Sequence, residues 1–176
     1  AIFMATTIPY YPQNSIHVVV VDPGVGTTRR AIVVKSPRSV FIAPDNGLLS
    51  YVLPMDSRHI SYQVPLHFPE SLYQKRLPKD WSAISLNNTK YWRESISSTF
   101  HGRDIFAPVA AHISKGVNID DLGEPISYIN ALPWIRPYIE NSGKISAPII
   151  NVDRFGNLIT ALKAEELPQC EYEIIV

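Results

Sequence analysis

The sequence is poor in the features that announce a structural class at once. It carries one cysteine, Cys170, in 176 residues, which excludes an internal disulfide and any metal site built from several thiolates. No apolar run approaches the ~20 residues that a membrane-spanning helix requires. Neither sign of charge is in excess: 16 Lys plus Arg stand against 16 Asp plus Glu, which argues against nucleic acid or an anionic membrane as the main partner. Glycine fingerprints are missing too, because "DPGVG" lacks the third glycine of a dinucleotide fold and the Gly-Lys-Ser/Thr of a phosphate loop. With 45% apolar and 18% charged residues the chain is expected to be globular, soluble and, with its lone thiol, cytoplasmic. It opens at Ala1 and not at a methionine, so the lack of a leader decides nothing.

What is present reads as an α/β protein. Residues 1–7 suit the end of a helix, and Pro9 and Pro12 then impose an extended connection. Ile16 to Val21 is a β-branched run without alternation, the pattern of a strand inside a sheet covered on both faces. "RRAIVVKS" and "SVFIAPDNGLLSYVL" add two further apolar runs, the second broken by the turn signal Asp45-Asn46-Gly47, after which Leu48 to Leu53 suits a short helix. Residues 54–97 show no sustained period and read as a long excursion with one short helix. A helix is predicted over 104–115, with Pro108 in its first turn and Gly116 as its stop. A proline-punctuated connector follows. The texture then changes to strand patterns, so the expected domains are 1–142, α/β, and 143–176, β-rich.

Four stretches carry chemistry. In "VVVVDPGVGTTRR" an acid and a glycine loop follow a strand, and residues just past a strand's carboxyl end line the crevice of an open α/β sheet, which places Asp22, Thr27, Thr28 and Arg29 well. The bland readings are a turn acid for Asp22 and a solvated pair for Arg29 and Arg30. In "APDNGLLS" a purely structural turn is favoured for Asp45 and Asn46. "STFHGRDIFAP" sets His101 beside Gly102, where a glycine permits close approach of a ligand to the backbone, and puts Asp104 where a carboxylate caps a helix. In "VDRFGNLIT", Asp153 and Asn157 flank a hairpin-like Phe155-Gly156. His17, His59, His67 and His112 read as structural or surface residues. Asp22, Asp45, His101 and Asp104 are of metal-ligating type, but their spacing matches no metal motif, so no metal is expected.

Taken together and in order, these four stretches resemble the adenosine-forming S-adenosyl-L-methionine (SAM) hydrolases, or SAM hydroxide adenosyltransferases, relatives of the fluorinases and chlorinases. The resemblance runs from about residue 16 to residue 162. It implies an N-terminal α/β sandwich with a central sheet, a smaller C-terminal β-barrel, and a homotrimer with the substrate held between subunits. It implies hydrolysis of SAM to adenosine and L-methionine without a cofactor. The family's catalytic aspartate, arginine and histidine fall on Asp22, Arg29 and His101. Asp153 matches the aspartate that holds the methionine moiety and Asn157 the asparagine that contacts adenine, with Gly102 and Thr27 further candidates for the substrate pocket. His101 would face the reacting water, Asp104 would cap the helix and Arg103 would be scaffold. The family's opening strand, with its Thr-Asp-Phe-Gly-type motif, has no counterpart here, the barrel is expected to continue past Val176, and Ala161 stands where the family usually has asparagine. A non-catalytic SAM- or adenosine-binding protein, or an inactive fragment of such an enzyme, is the alternative those departures leave open.

Overall fold

The computed structural model describes residues 1–54, 72–140, 142–167 and 171–175; His59, His67 and Cys170 fall outside them. The described chain forms two compact units, the first running through residue 133 and the second beginning at 134. The first unit opens with helix α1 (Ile2–Thr7) and contains strands β1 (Ser15–Val18), β2 (Ala31–Lys35), β3 (Ser39–Pro44), β4 (Tyr73–Arg76) and β5 (Ser82–Ser85), helix α2 (Ala107–Ser114), and strands β6 (Glu124–Ile126) and β7 (Tyr128–Ala131). Among the described residues five strands make the central sheet, in the order β1-β3-β2-β5-β6. It is mixed: β1 runs parallel to β3 and the other neighbours are antiparallel. β4 and β7 form a separate antiparallel pair.

The centre of the sheet is apolar on both faces because both are covered. Alternate residues of β2 enter different cores: Ile32 and Val34 pack with Phe41, Leu49, Leu53 and Ile129, whereas Val33 packs with Ile42, Ile84, Phe106, Val109 and Leu122. Val33, Val34, Ile42, Phe106, Val109 and Ile129 are sealed completely, each worth roughly 1.5–3 kcal/mol relative to exposure. Phe106 and Val109 bring the α2 segment onto one face.

Several expectations need correction. The Ile16–Val21 run lies at the sheet edge, with Val18, Val20 and Val21 exposed by 42%, 44% and 62%; among the described residues β1 pairs on one side alone, so a run without alternation did not mean cover on both faces. Leu48 to Leu53 forms successive tight turns, with Ser50 N–H donating to Gly47 O and Val52 N–H to Leu49 O. The excursion of residues 54–97 supplies part of the central sheet, for its short "SAIS" is β5, an inner strand whose Ala83 and Ile84 are 2% exposed. The proline-rich connector holds β6 and β7, and Pro125 is tolerated because β6 is an edge strand. Helix α2 carries Pro108 in its first turn and stops at Gly116, whose φ of +89° suits glycine.

In the second unit β8 (Tyr138–Ile139) pairs with β9 (Ile145–Ser146), and β10 (Ile149–Val152) with β11 (Leu158–Thr160), both antiparallel.

Candidate active site

Three motifs of the first unit meet beyond the carboxyl end of β1. The chain leaves β1, makes a last bond from Val19 N–H to Ile42 O at 2.9 Å, and continues to Asp22. Residues 22–29 then form a tight loop. Val25 N–H donates to Asp22 O at 3.2 Å and Thr27 N–H to Gly24 O at 3.1 Å. The Thr27 hydroxyl also donates to Gly24 O at 2.7 Å, so it fastens the loop. Gly26 has a φ of +79°, and a Cβ there would come within 2.6 Å of Ser98 O; the missing side chain lets this loop lie against the segment that leads into His101.

The loop returns Arg29 onto Asp22. Arg29 Nε donates to Asp22 Oδ1 at 2.9 Å and Arg29 Nη2 to Asp22 Oδ2. The same Nη2 lies 3.0 Å from His101 Nδ1. Both ions are nearly sealed, the side chains 11% and 4% exposed for Arg29 and Asp22, and the guanidinium stands 5.4 Å from the centroid of the buried Phe106 ring. A bidentate fork in such surroundings is a strong, oriented contact. Guanidinium has donors and no acceptor, so His101 Nδ1 must accept. The neutral ring therefore carries its proton on Nε2.

His101 is placed by an uncommon turn. Residues Gly102–Phe106 wind as a π-type turn, closed by Ala107 N–H on Gly102 O, before α2 begins. Turns of this kind recur at functional sites because one extra residue re-aims the side chains. His101 stands at its start, and Phe106 at its end lies against Arg29. Gly102 packs on Val20, where a Cβ would sit 3.5 Å from Cγ1.

Asp104 does not cap the helix. Because the wide turn starts before it, its carboxylate points inward, fully buried, and accepts from Arg103 Nε at 2.7 Å, Arg103 Nη2 at 3.1 Å and Ser97 N–H at 2.9 Å. The Arg103 hydrogen bonds, helped by the Ser97 N–H, lower its pKa to about 2. Asp45, 2% exposed, is likewise engaged: Arg30 Nε donates to it at 3.0 Å and Asn130 N–H at 2.7 Å. Asp22 and His101 share Arg29, whereas Asp45 and Asp104 are held by Arg30 and Arg103, and among the described residues no three metal-ligating side chains converge.

In the second unit Asp153 and Asn157 stand at the ends of the five-residue loop between β10 and β11. Asp153 Oδ1 accepts from Phe155 N–H at 2.8 Å and Asn157 N–H at 2.9 Å, and Oδ2 accepts from Asn157 Nδ2 at 2.7 Å. The Asn157 side chain, then its backbone N–H, holds the Asp153 carboxyl below the usual range. Phe106 and the π-type turn are the parts of these sites that sequence reasoning missed. The one available signal was Phe106 five residues after His101.

Residues 1–123 match the family described as SAM hydroxide adenosyltransferase N-terminal domain. The chain belongs to the SAM hydroxide adenosyltransferase family. It is 35% identical over 176 residues to a protein of Salinispora tropica named (R)-S-adenosyl-L-methionine hydrolase, covering 96% of this chain and 58% of that one. It is 33% identical to one of the same name from Methanocaldococcus jannaschii, covering 100% and 53%. The chain therefore spans about half the length of the curated relatives it matches. Among solved structures it resembles an uncharacterized conserved protein from Thermotoga maritima, with a TM-score of 0.66 at 33% identity, over 90% of this chain and 52% of that one. The α/β class is the one seen here, with a mixed central sheet and further two-stranded sheets. No helix among the described residues is long and apolar enough to cross a membrane.

Proposed function

We propose that this protein hydrolyses S-adenosyl-L-methionine, in the (R) form that its relatives' names carry, to adenosine and L-methionine. The observation that supports it best is the single guanidinium that grips Asp22 with two bonds and His101 Nδ1 with a third. Water oxygen forms the new bond to the ribose C5′, the C5′–S bond breaks, and its electron pair leaves with sulfur as a neutral thioether. No acid is needed at sulfur, because the leaving group is already a sulfonium. One proton of the water must be released, and the nucleophile must be held in line and stripped of competing solvent.

The tautomer divides the labour. With Nδ1 engaged by Arg29, neutral His101 offers an Nε2–H donor, suited to hold a water or developing hydroxide by its oxygen. Asp22 keeps lone pairs that the arginine does not use and is the group to accept the water proton. Arg29 fixes both and offsets the acid's charge. Asp153 and Asn157 are the proposed contacts to methionine and adenine, and Thr27 and Gly102 shape the loop walls. The proposal includes a cytoplasmic homotrimer with substrate held between subunits, no cofactor, and no nucleic-acid or membrane partner.

The test is to incubate the chain with SAM and excess chloride, with and without EDTA, and to separate adenosine, methionine and 5′-chloroadenosine by chromatography. Equal amounts of adenosine and methionine, indifferent to EDTA, are expected. SAM binding with no product would turn the reading to a non-catalytic binder, and 5′-chloroadenosine would turn it to halide chemistry.

A further inference from the structure

The proposed machinery stands on a segment that the sheet barely holds. After Val19 N–H bonds Ile42 O, Val20 and Val21 lie past the end of β1 and are exposed by 44% and 62%. Among the described residues one hydrogen bond ties this pair of residues to the rest of the unit: Asn46 Nδ2 donates to Val21 O at 2.9 Å. That carbonyl belongs to the peptide directly before Asp22. Asn46 is itself set from both sides. Its Oδ1 accepts Leu48 N–H at 3.2 Å. Its neighbour Asp45, sealed at the end of β3, is bonded to Arg30 and to Asn130 N–H.

Arg30 adjoins Arg29, so Asp45-Asn46 reaches both ends of the Asp22–Arg29 loop, through a side-chain pair at residue 30 and a carbonyl at residue 21. We infer that Asn46 is a positioning residue for the Asp22–Arg29–His101 cluster, acting through the Val21 carbonyl to hold Asp22 in register with the arginine fork. The inference rests on the functional reading above for its kinetic arm alone. A side-chain amide suits the task because it donates to one backbone group while accepting from another, whereas aspartate would present a second acceptor to Val21 O and repel it. The "DNG" signal, read from sequence as a plain turn, thus has a second use.

Two variants separate positioning from folding. Asn46→Asp keeps the acceptor for Leu48 N–H and removes the donor to Val21 O. Ser50→Ala loosens the same turn, where the Ser50 hydroxyl donates to Gly47 O at 2.5 Å and accepts Leu132 N–H at 2.6 Å, without touching Val21. Each is measured for kcat and KM with SAM and for the imidazole ¹⁵N shifts of His101 in the ligand-free protein. Asn46→Asp is expected to lower kcat between about tenfold and a hundredfold, the scale of a slight misplacement of reacting groups, with KM changed less than about twofold on the same argument. It should also move His101 from a clean Nε2–H signature toward mixed tautomers, while Ser50→Ala keeps both wild-type values. Unchanged His101 shifts in Asn46→Asp, or the same change in Ser50→Ala, would overturn the inference. A wild-type chain without turnover would remove the hydrolase reading instead, and the His101 shifts would still decide this one.

Discussion

Replacing Arg29 by alanine should expose how tightly the cluster is built. The substitution leaves the Asp22 carboxylate, 4% exposed, without its fork, frees His101 Nδ1, and removes the cation from the Phe106 face. Removing one partner of a buried ion pair costs about 3–5 kcal/mol, most of it from the charge left behind. At the lower bound the melting temperature of a domain this size falls by about 6–12 °C. Asp22→Ala strands the opposite charge, though less severely, because Arg29 keeps His101 and the Arg30 carbonyl as acceptors. The double variant has no stranded charge and should cost less than the sum of the singles, by about 1–3 kcal/mol. Urea unfolding of the four proteins at fixed pH, read by circular dichroism, measures the cycle. Costs that add to within about 0.5 kcal/mol would refute a coupled pair. Turnover supplies a parallel cycle, in which the double variant should be no slower than the worse single one, as for residues that act as a unit.

Other expectations follow from the same geometry. His101→Gln carries an amide N–H near the Nε2 position whereas His101→Asn keeps an acceptor near Nδ1, so kcat should fall less in the glutamine variant; the reverse order would mean that the Arg29 link matters more than the donor. Asp104 titrates near 2 when folded, against an ordinary 3.8, so its stabilisation is complete above about pH 4 and disappears as pH falls through about 2; Asp104→Asn should flatten the acid limb of a stability-against-pH curve, and an unchanged limb would contradict the Arg103 and Ser97 bonds. Gly26→Ala forces a Cβ to within 2.6 Å of Ser98 O at a φ of +79°, and should cost more than about 1 kcal/mol and slow turnover. Asp153→Ala should speed hydrogen exchange at the Phe155 and Asn157 amides, whose acceptor it removes; unchanged protection there would count against the hairpin described.

How far these features were legible depends on whether they were local. Asp22 and Arg29 lie past a strand end around a glycine loop and His101 stands before Gly102, signals that make each a candidate, while the resemblance of the ordered motifs to a known family is what groups them; the structure brings the three into contact across a sequence separation of 72 between Arg29 and His101. Residues that act by long-range packing gave no such sign. "SAIS" is too short to show a period, yet it is an inner strand because Ala83 and Ile84 fit between β2 and β6. Val18, Val20 and Val21 looked like core because their type was read without their neighbours. Asp104 was assigned to a cap from its place ahead of an apolar run, and the π-type turn moved the helix start past it. The Asp45-Asn46-Gly47 turn was read correctly, but no local rule says which carbonyl an asparagine will reach.

The wide turn at Gly102–Phe106 has a consequence for how such a site is gained or lost. A π-type turn holds one residue more than an α-helical turn would, and each residue rotates a helix by about 100°. Deleting one residue between His101 and Ala107 would let a regular helix run through and swing His101 away from Arg29 while Phe106 stayed under the sheet. The shortened chain would make a more regular helix and a more stable protein, with the histidine facing elsewhere. A single-codon deletion is therefore a short path from the triad to its absence, and a length difference at this point in a relative's sequence speaks to chemistry before any substitution does.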